Sequence, residues 1–205
     1  MPTATPTVLA PVAWREREAA HAERVDALVA PHLARRAEQV KHPVHDFLFT
    51  YYSHRPAQLR RWHPGYDVVL ADAGDSFMCA GDLLMRDRVG FISQAFYCSI
   101  GFTLPAALGV GLASPQRRPV VFIGDGAFQM VAQELSTLLR HHLNPVIFLM
   151  NNRGYTVERV IHDGPYNDIQ NWRYHELVGV YGAEAGWGCE VHTEGDLEAA
   201  LDLGV

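Results

Sequence analysis

Two short motifs in this 205-residue chain have the residue types to act together: Gly124-Asp125-Gly126 and Asn151-Asn152. Each follows an apolar run, Pro119-Val120-Val121-Phe122-Ile123 before the first and Pro145-Val146-Ile147-Phe148-Leu149-Met150 before the second. Two parallel strands ending side by side would bring a carboxylate and an amide carbonyl together, beside backbone opened by glycine. Hard oxygen ligands and exposed N–H groups of this kind suit Mg²⁺ and a diphosphate. Gly-Asp-Gly alone also makes ordinary turns. No Gly-Lys-Ser/Thr follows it, so it is not a P-loop, and Gly124, Gly126 and Gln129 do not complete G-x-G-x-x-G. The Asn-Asn pair one strand later is what favours a ligand site over a turn.

The elements needed to position these motifs can be read around them. From Gln129 to His142 the apolar positions Val131, Leu135, Leu138 and Leu139 mark a helix face, and Asn144-Pro145 ends it. With its flanking strands this makes a β-α-β unit, right-handed and parallel, with both strand ends on one edge. Ligands of open α/β sheets bind at that carboxyl edge. Upstream, Asp67 to Ala71 reads as a buried strand running into a turn of small and acidic residues, Asp72-Ala73-Gly74-Asp75-Ser76. An apolar helix is expected from Ser99 to Ala113, stopped by Ser114-Pro115. Downstream, Arg153 to Trp172 reads as a long loop, followed by a helix near His175 to Tyr181 and a short strand at Glu190-Val191-His192. Thr193 is placed to cap a last helix, Asp196 to Leu203.

Composition narrows the function classes. Hydrophobic residues make up 48% of the chain, enough for a core, and the net charge of −6 argues against a nucleic-acid binder as a whole. The charge is uneven: nine Lys+Arg against seven Asp+Glu up to Leu70, then eight against sixteen. Cys79, Cys98 and Cys189 are widely spaced and form no C-x-x-C, which fits a reducing cytoplasm rather than a disulfide or zinc framework. Met1 to Pro11 lacks the apolar core of a secretory signal. Ala95 to Gln116 is uncharged and long enough to span a bilayer, but its apolarity comes from small residues, so a tightly packed buried helix is expected instead.

The first part of the chain differs in character. Val12 to Val40 is rich in Ala, Arg, Glu and Leu. Val25, Leu28, Val29 and Leu33 repeat as one face of an amphipathic helix, interrupted near Pro31. Lys41 to Gly65 is aromatic and basic, divided by Pro43, Pro56 and Pro64. A boundary near Tyr66 separates a helical or irregular segment, 1–65, from an α/β domain, 66–205.

The stretch GDGAFQMVAQELSTLLRHHLNPVIFLMNNRGYTVERVIHDGPYNDIQNW resembles the thiamine-diphosphate motif of 2-oxo acid decarboxylases, the group that includes the pyruvate, indolepyruvate and phenylpyruvate enzymes. The likeness reaches back through ADAGDSF and YCSIGFTLPAALG and covers roughly Tyr66 to the end, the family's pyrophosphate-binding domain. It implies a thiamine-diphosphate-binding fold, a parallel sheet flanked by helices, here with an N-terminal helical appendage. It also implies roles. Asp125 and Asn152 would bind Mg²⁺ through side-chain oxygens, with the Gly154 carbonyl as a third ligand. Gly126 and Ala127 would offer N–H groups to the diphosphate beside Gly124, Ala127 standing where a serine is frequent. Asp75 and Ser76 would line the same end. Ile100 would be an apolar wedge under the cofactor and the Cys98 carbonyl would accept from its aminopyrimidine. Tyr155, Thr156 and Val157 complete the cofactor set. Glu158 would transfer protons from a partly dry pocket, and Val157 and Ile161 would face the side chain of a 2-oxo acid. His141-His142 closes a helix and reads as surface, unlike the His-His pair of this family's other domain.

In this family the cofactor lies between two domains, usually from different subunits of an oligomer, and the pyrimidine-binding domain carries an activating glutamate. Residues before Tyr66 show none of that pattern; Glu16, Glu18, Glu23 and Glu38 look like solvated helix charges. About half of an active site is expected, inactive without that partner domain. Lys41 to Gly65 is in turn similar to a group of actinobacterial proteins labelled 3-methyladenine DNA glycosylase, so a fusion near Tyr66 and a DNA-binding segment stand as an alternative. A non-catalytic cofactor-binding or interaction module is a further one.

Overall fold

The computed structural model describes residues 68–81, 83, 90–182 and 186–204. The expected amphipathic helix, the aromatic and basic stretch and the boundary near Tyr66 lie outside them. Strands β1 (Val68–Ala71), β2 (Gly90–Ser93), β3 (Pro119–Gly124) and β4 (Val146–Met150) form one sheet in the order β2-β1-β3-β4. All the pairings are parallel. Every residue of β1 is buried, as is β3 from Pro119 to Ile123. Strands covered on both faces read as unbroken apolar runs, which is why these were visible in the sequence.

The helices are α1 (Asp75–Ala80), α2 (Thr103–Ala113), α3 (Asp125–Val131), α4 (Glu134–Arg140), α5 (Thr156–Ile161), α6 (Leu177–Val180) and α7 (Glu194–Gly204). Short 3-10 turns occupy Pro165–Asn167 and Tyr174–Glu176. Alternate strand residues Val68, Leu70, Val121 and Ile123 pack with Leu104 and Ala107 of α2, Phe128 of α3 and Leu135 and Leu138 of α4 in one cluster. On the other face Phe122 and Phe148 stack with ring centroids 5.0 Å apart.

Several expectations need correction. The turn after β1 is only Asp72 to Gly74: Gly74 takes φ 90° and Asp75 and Ser76 already belong to α1. The helix expected from Ser99 starts at Thr103, because Cys98 and Gly101 sit in the left-handed region, at φ 50° and 82°. The helix expected from Gln129 to His142 begins earlier, at Asp125, and is split at Ala132-Gln133. There the backbone bonds switch to i→i−3, Leu135 to Ala132 and Ser136 to Gln133. Its apolar face survives the split. The long loop after Asn152 contains α5, which buries no residue and so lacks the core-facing stripe that would announce it. Glu190 to His192 is not a strand. The N–H groups of His192 and Thr193 go instead to the Asp196 carboxylate, at 3.1 and 2.9 Å. The Thr193 hydroxyl accepts the Asp196 N–H at 3.1 Å, a reciprocal cap that confirms Thr193 as the start signal of α7. Strand β2 carried no sequence signal.

Other expectations hold. No disulfide joins Cys79, Cys98 and Cys189, of which only Cys79 is buried, and His141 and His142 are exposed at the end of α4. Among the described residues no helix is long and apolar enough to cross a membrane. Leu138 is fully buried in the cluster, so Leu138→Ala should cost about 2–5 kcal/mol, read as a lower midpoint at unchanged slope in urea unfolding.

Candidate cofactor site

The carboxyl ends of β1, β3 and β4 share one edge, and the candidate residues gather there. Asp125 leaves β3 as the first residue of α3 and is only 1% exposed. Its Oδ1 accepts the Gly126 N–H at 2.8 Å and its Oδ2 accepts the Gly154 N–H at 3.0 Å. Burial pushes this carboxyl above the ordinary aspartate value; backbone N–H groups of Gly126, Gly154 and Arg153 pull it back only partly.

The two asparagines separate in role. Register places Gly124 opposite Met150, so Asn151 and Asn152 emerge level with Asp125. Asn151 Nδ2 donates to Asn171 Oδ1 at 2.8 Å on the exposed side. Asn152 Nδ2 donates to Asp75 Oδ2 at 3.2 Å, which ties β4 to the start of α1. Asn152 Oδ1 is buried and has no hydrogen-bond partner, and the same is true of Ser76 Oγ on α1 and Thr156 Oγ1 on α5. Ser93 Oγ at the end of β2 is another. Buried polar atoms are normally paired, so unpaired oxygens at the strand ends and at the starts of α1 and α5 are places that a polar ligand would satisfy.

The backbone after β4 is shaped to approach Asp125. Arg153 has φ 64° and Gly154 φ 138°. A Cβ on Gly154 would lie 2.2 Å from the Asn167 carbonyl oxygen, so only glycine fits. Asn167 O also accepts the Tyr155 N–H at 2.9 Å, and Arg159 Nη2 donates to Arg153 O at 2.6 Å and Asp168 Oδ1 at 2.7 Å. These bonds close the excursion on itself. Tyr155 packs over Gly126, its Cε1 2.5 Å from where a Cβ would stand, and Val157 Cγ2 lies 3.7 Å from the same point on Gly74. Thus Gly74 faces Val157, Asp75 meets Asn152, Asp125 meets Gly154 and Gly126 meets Tyr155, with Ser76 and Thr156 next to them in the chain. The Gly126 N–H, expected free for a diphosphate, is taken by Asp125.

Gly101, next to Ile100, makes a second contact, with Ala127. Gly101 packs on α3, its missing Cβ 3.1 Å from Val131 Cγ1 and 3.4 Å from the Ala127 carbonyl. Cys98 and Ile100 are exposed beside it. Glu158 and Ile161 are not drawn in: both are exposed on α5, and among the described residues the Glu158 carboxylate has no hydrogen-bond partner. Two residues escaped the sequence reading. Tyr174 receives a 2.8 Å bond from Gln129 Nε2, and burial and then the Asp125 charge raise its phenol, which marks it as a neighbour of the site. Asp72 is a buried acid directly after a strand, and that position was its signal.

Comparison with known proteins shows the family. The family model described as "Thiamine pyrophosphate enzyme, C-terminal TPP binding domain" matches residues 72–204. The chain belongs to the thiamine pyrophosphate enzymes. An alpha-keto-acid decarboxylase of Mycolicibacterium paratuberculosis is 49% identical over 140 residues, 67% of this chain and 25% of that protein. One of Mycobacterium tuberculosis is 49% identical over 142 residues, 68% of this chain and 25% of that protein. A thiamine diphosphate-dependent 4-hydroxybenzoylformate decarboxylase of Rhodococcus jostii RHA1 superposes with a TM-score of 0.60 at 26% identity, covering 73% of this chain and 30% of that one. The chain thus spans about a quarter of the length of the curated relatives it matches.

The oxygens of this thiamine pyrophosphate enzyme domain fit the group its family implies: a carboxylate, an orphaned amide carbonyl and buried hydroxyls. Their geometry depends on Gly154. Gly154→Ala should break the Asn167 contact and open the excursion, read as faster proteolysis between Arg153 and Asp168 and a loss of cofactor binding of ten-fold or more. Unchanged cleavage there would contradict the clasp.

Proposed function

We propose that this domain binds thiamine diphosphate together with Mg²⁺ and supplies one half of a 2-oxo acid decarboxylase site. The observation that carries this reading is the set of unpartnered buried oxygens, Asn152 Oδ1, Ser76 Oγ and Thr156 Oγ1, at the sheet edge that carries the buried Asp125 carboxylate. Asp125, Asn152 Oδ1 and the Gly154 carbonyl would hold Mg²⁺, a hard cation that takes oxygen ligands and neutralises the buried charge. Asp75, Ser76, Gly124, Gly126, Ala127, Tyr155 and Thr156 would line the diphosphate. Ile100 and the Cys98 carbonyl would hold the ring end, with Val157 between the two. When bound, the cofactor supplies the electron sink for loss of CO₂ from a 2-oxo acid, giving an aldehyde.

Within that site Glu158 would move protons to and from the reacting carbon, while Val157 and Ile161 would face an apolar substrate side chain. Glu158 is exposed, and so are Ile100, Val157 and Ile161, at 37%, 38% and 77%. A proton-transferring carboxyl needs a drier setting. A pyrimidine-binding domain packed over this face, from another subunit or another segment, would provide it and bring the activating glutamate. The cofactor domain would be 66–205, in a cytoplasmic protein, with 1–65 a separate segment.

Calorimetric titration of the full chain with thiamine diphosphate tests the assignment. Binding should require Mg²⁺, and Asp125→Ala or Asn152→Ala should each weaken it about 10- to 100-fold, the equivalent of one lost interaction with a charged partner. Metal-independent binding, or no effect of either substitution, would contradict it. Aldehyde formation should appear only when the partner domain is added.

A further inference from the structure

We infer that Asp72 is a positioning residue that fixes the ring-binding segment, Cys98 to Gly101, relative to the diphosphate end of the site; this rests on the cofactor reading above. Asp72 is the first residue beyond β1 and is 1% exposed. Its own N–H donates to the Phe122 carbonyl of β3 at 2.8 Å, which anchors it to the centre of the sheet. Its carboxylate then reaches across a sequence gap of about thirty residues. Oδ1 accepts the Gly101 N–H at 2.9 Å, and Oδ2 accepts both the Thr103 N–H at 3.1 Å and the Thr103 hydroxyl at 2.8 Å. Oδ1 also accepts the Ala73 N–H at 3.1 Å.

These bonds do more than start a helix. An ordinary helix takes its cap from the residue before it, but the residue before α2 is Phe102, which offers no side-chain cap. A sheet-anchored carboxylate serves instead, and it binds Gly101, which lies outside the helix. Gly101 is held at φ 82° and packed on Ala127 and Val131 of α3, and Cys98 is held at φ 50°, a conformation uncommon for a non-glycine residue. The direction of the Cys98 carbonyl and the height of Ile100 follow from this local backbone. Asp72 therefore sets them against the α3 end that carries Asp125 and Ala127, without touching the ligand.

The two ends of the cofactor can be probed separately. The full chain and its Asp72→Asn variant are titrated with thiamine diphosphate plus Mg²⁺ and with inorganic pyrophosphate plus Mg²⁺. An amide turns one acceptor of the buried carboxylate into a donor facing an N–H, so the Cys98 to Gly101 segment loses its tie. Thiamine diphosphate binding should weaken ten-fold or more while pyrophosphate binding stays within two-fold. Equal binding of both ligands by variant and parent would overturn the inference, and so would an equal loss of both, which is what general damage to the fold gives. A parent chain that binds neither ligand would sink the cofactor reading and the inference with it. If Asp72→Asn does not fold, Thr103→Val carries the test: it keeps the backbone donors, removes the 2.8 Å hydroxyl bond, and should show the same split at two- to five-fold. No split in Thr103→Val would then overturn the inference.

Discussion

The parallel pairing of β3 with β4 is the constraint on which the site depends. It sets Gly124 level with Met150, so the chain leaves both strands at the same height on the same edge. From there one segment turns into α3 through Asp125, and the other makes the left-handed step at Arg153 and Gly154. The Gly154 N–H can then reach Asp125 Oδ2 across 29 residues of sequence. A one-residue slip would turn every side chain of β4 to the opposite face and carry Asn152 away from Asp75. The register is secured by burial of Val121 and Ile123 on one face and the Phe122–Phe148 stack on the other.

Around this edge the protein tolerates arrangements that would be errors elsewhere. Each buried polar atom left without a partner costs roughly 1–3 kcal/mol, and Asn152 Oδ1, Ser76 Oγ and Thr156 Oγ1 are all in that state. The Asp125 carboxyl is raised by burial, and Cys98 and Arg153 hold positive φ without being glycine. Burial of β1 and of Pro119 to Ile123 in β3 against α2, α3 and α4 offsets these costs. Such local sacrifices concentrate where a ligand completes the unmet bonds, and a bound oxyanion and cation would recover much of the loss.

Legibility in the sequence followed the physics of burial. β1, β3 and β4 announced themselves because apolar runs mark strands covered by neighbours. The Thr193 cap was legible because it is a local bond. β2 was silent: Gly90-Phe91-Ile92-Ser93 is a strand only because β1 pairs with it. α5 was silent because it buries no residue. Of the site, Asp125 and the Asn151-Asn152 pair could be found from type and spacing, while Gly154 came from the family resemblance, and nothing local distinguished Asn152 from Asn151, whose amide turns to Asn171. Asp72 looked like a turn residue. Its bonds to Gly101 and Thr103 are long-range, and no window of sequence contains both ends.

The domain is thus a sheet edge with two anchored carboxylates, Asp125 at the β3 end and Asp72 at the β1 end. Each ties a distant segment into place. The central claim is that the Asp125 end coordinates a divalent cation through this chain's own oxygens. A crystal structure of the full chain grown with thiamine diphosphate and Mn²⁺, with the metal located by its anomalous signal, tests it most directly. The account predicts one manganese peak at bonding distance from an Asp125 carboxylate oxygen, Asn152 Oδ1 and the Gly154 carbonyl oxygen. Bound cofactor with its metal held by other residues, or with no metal at this edge, would contradict it.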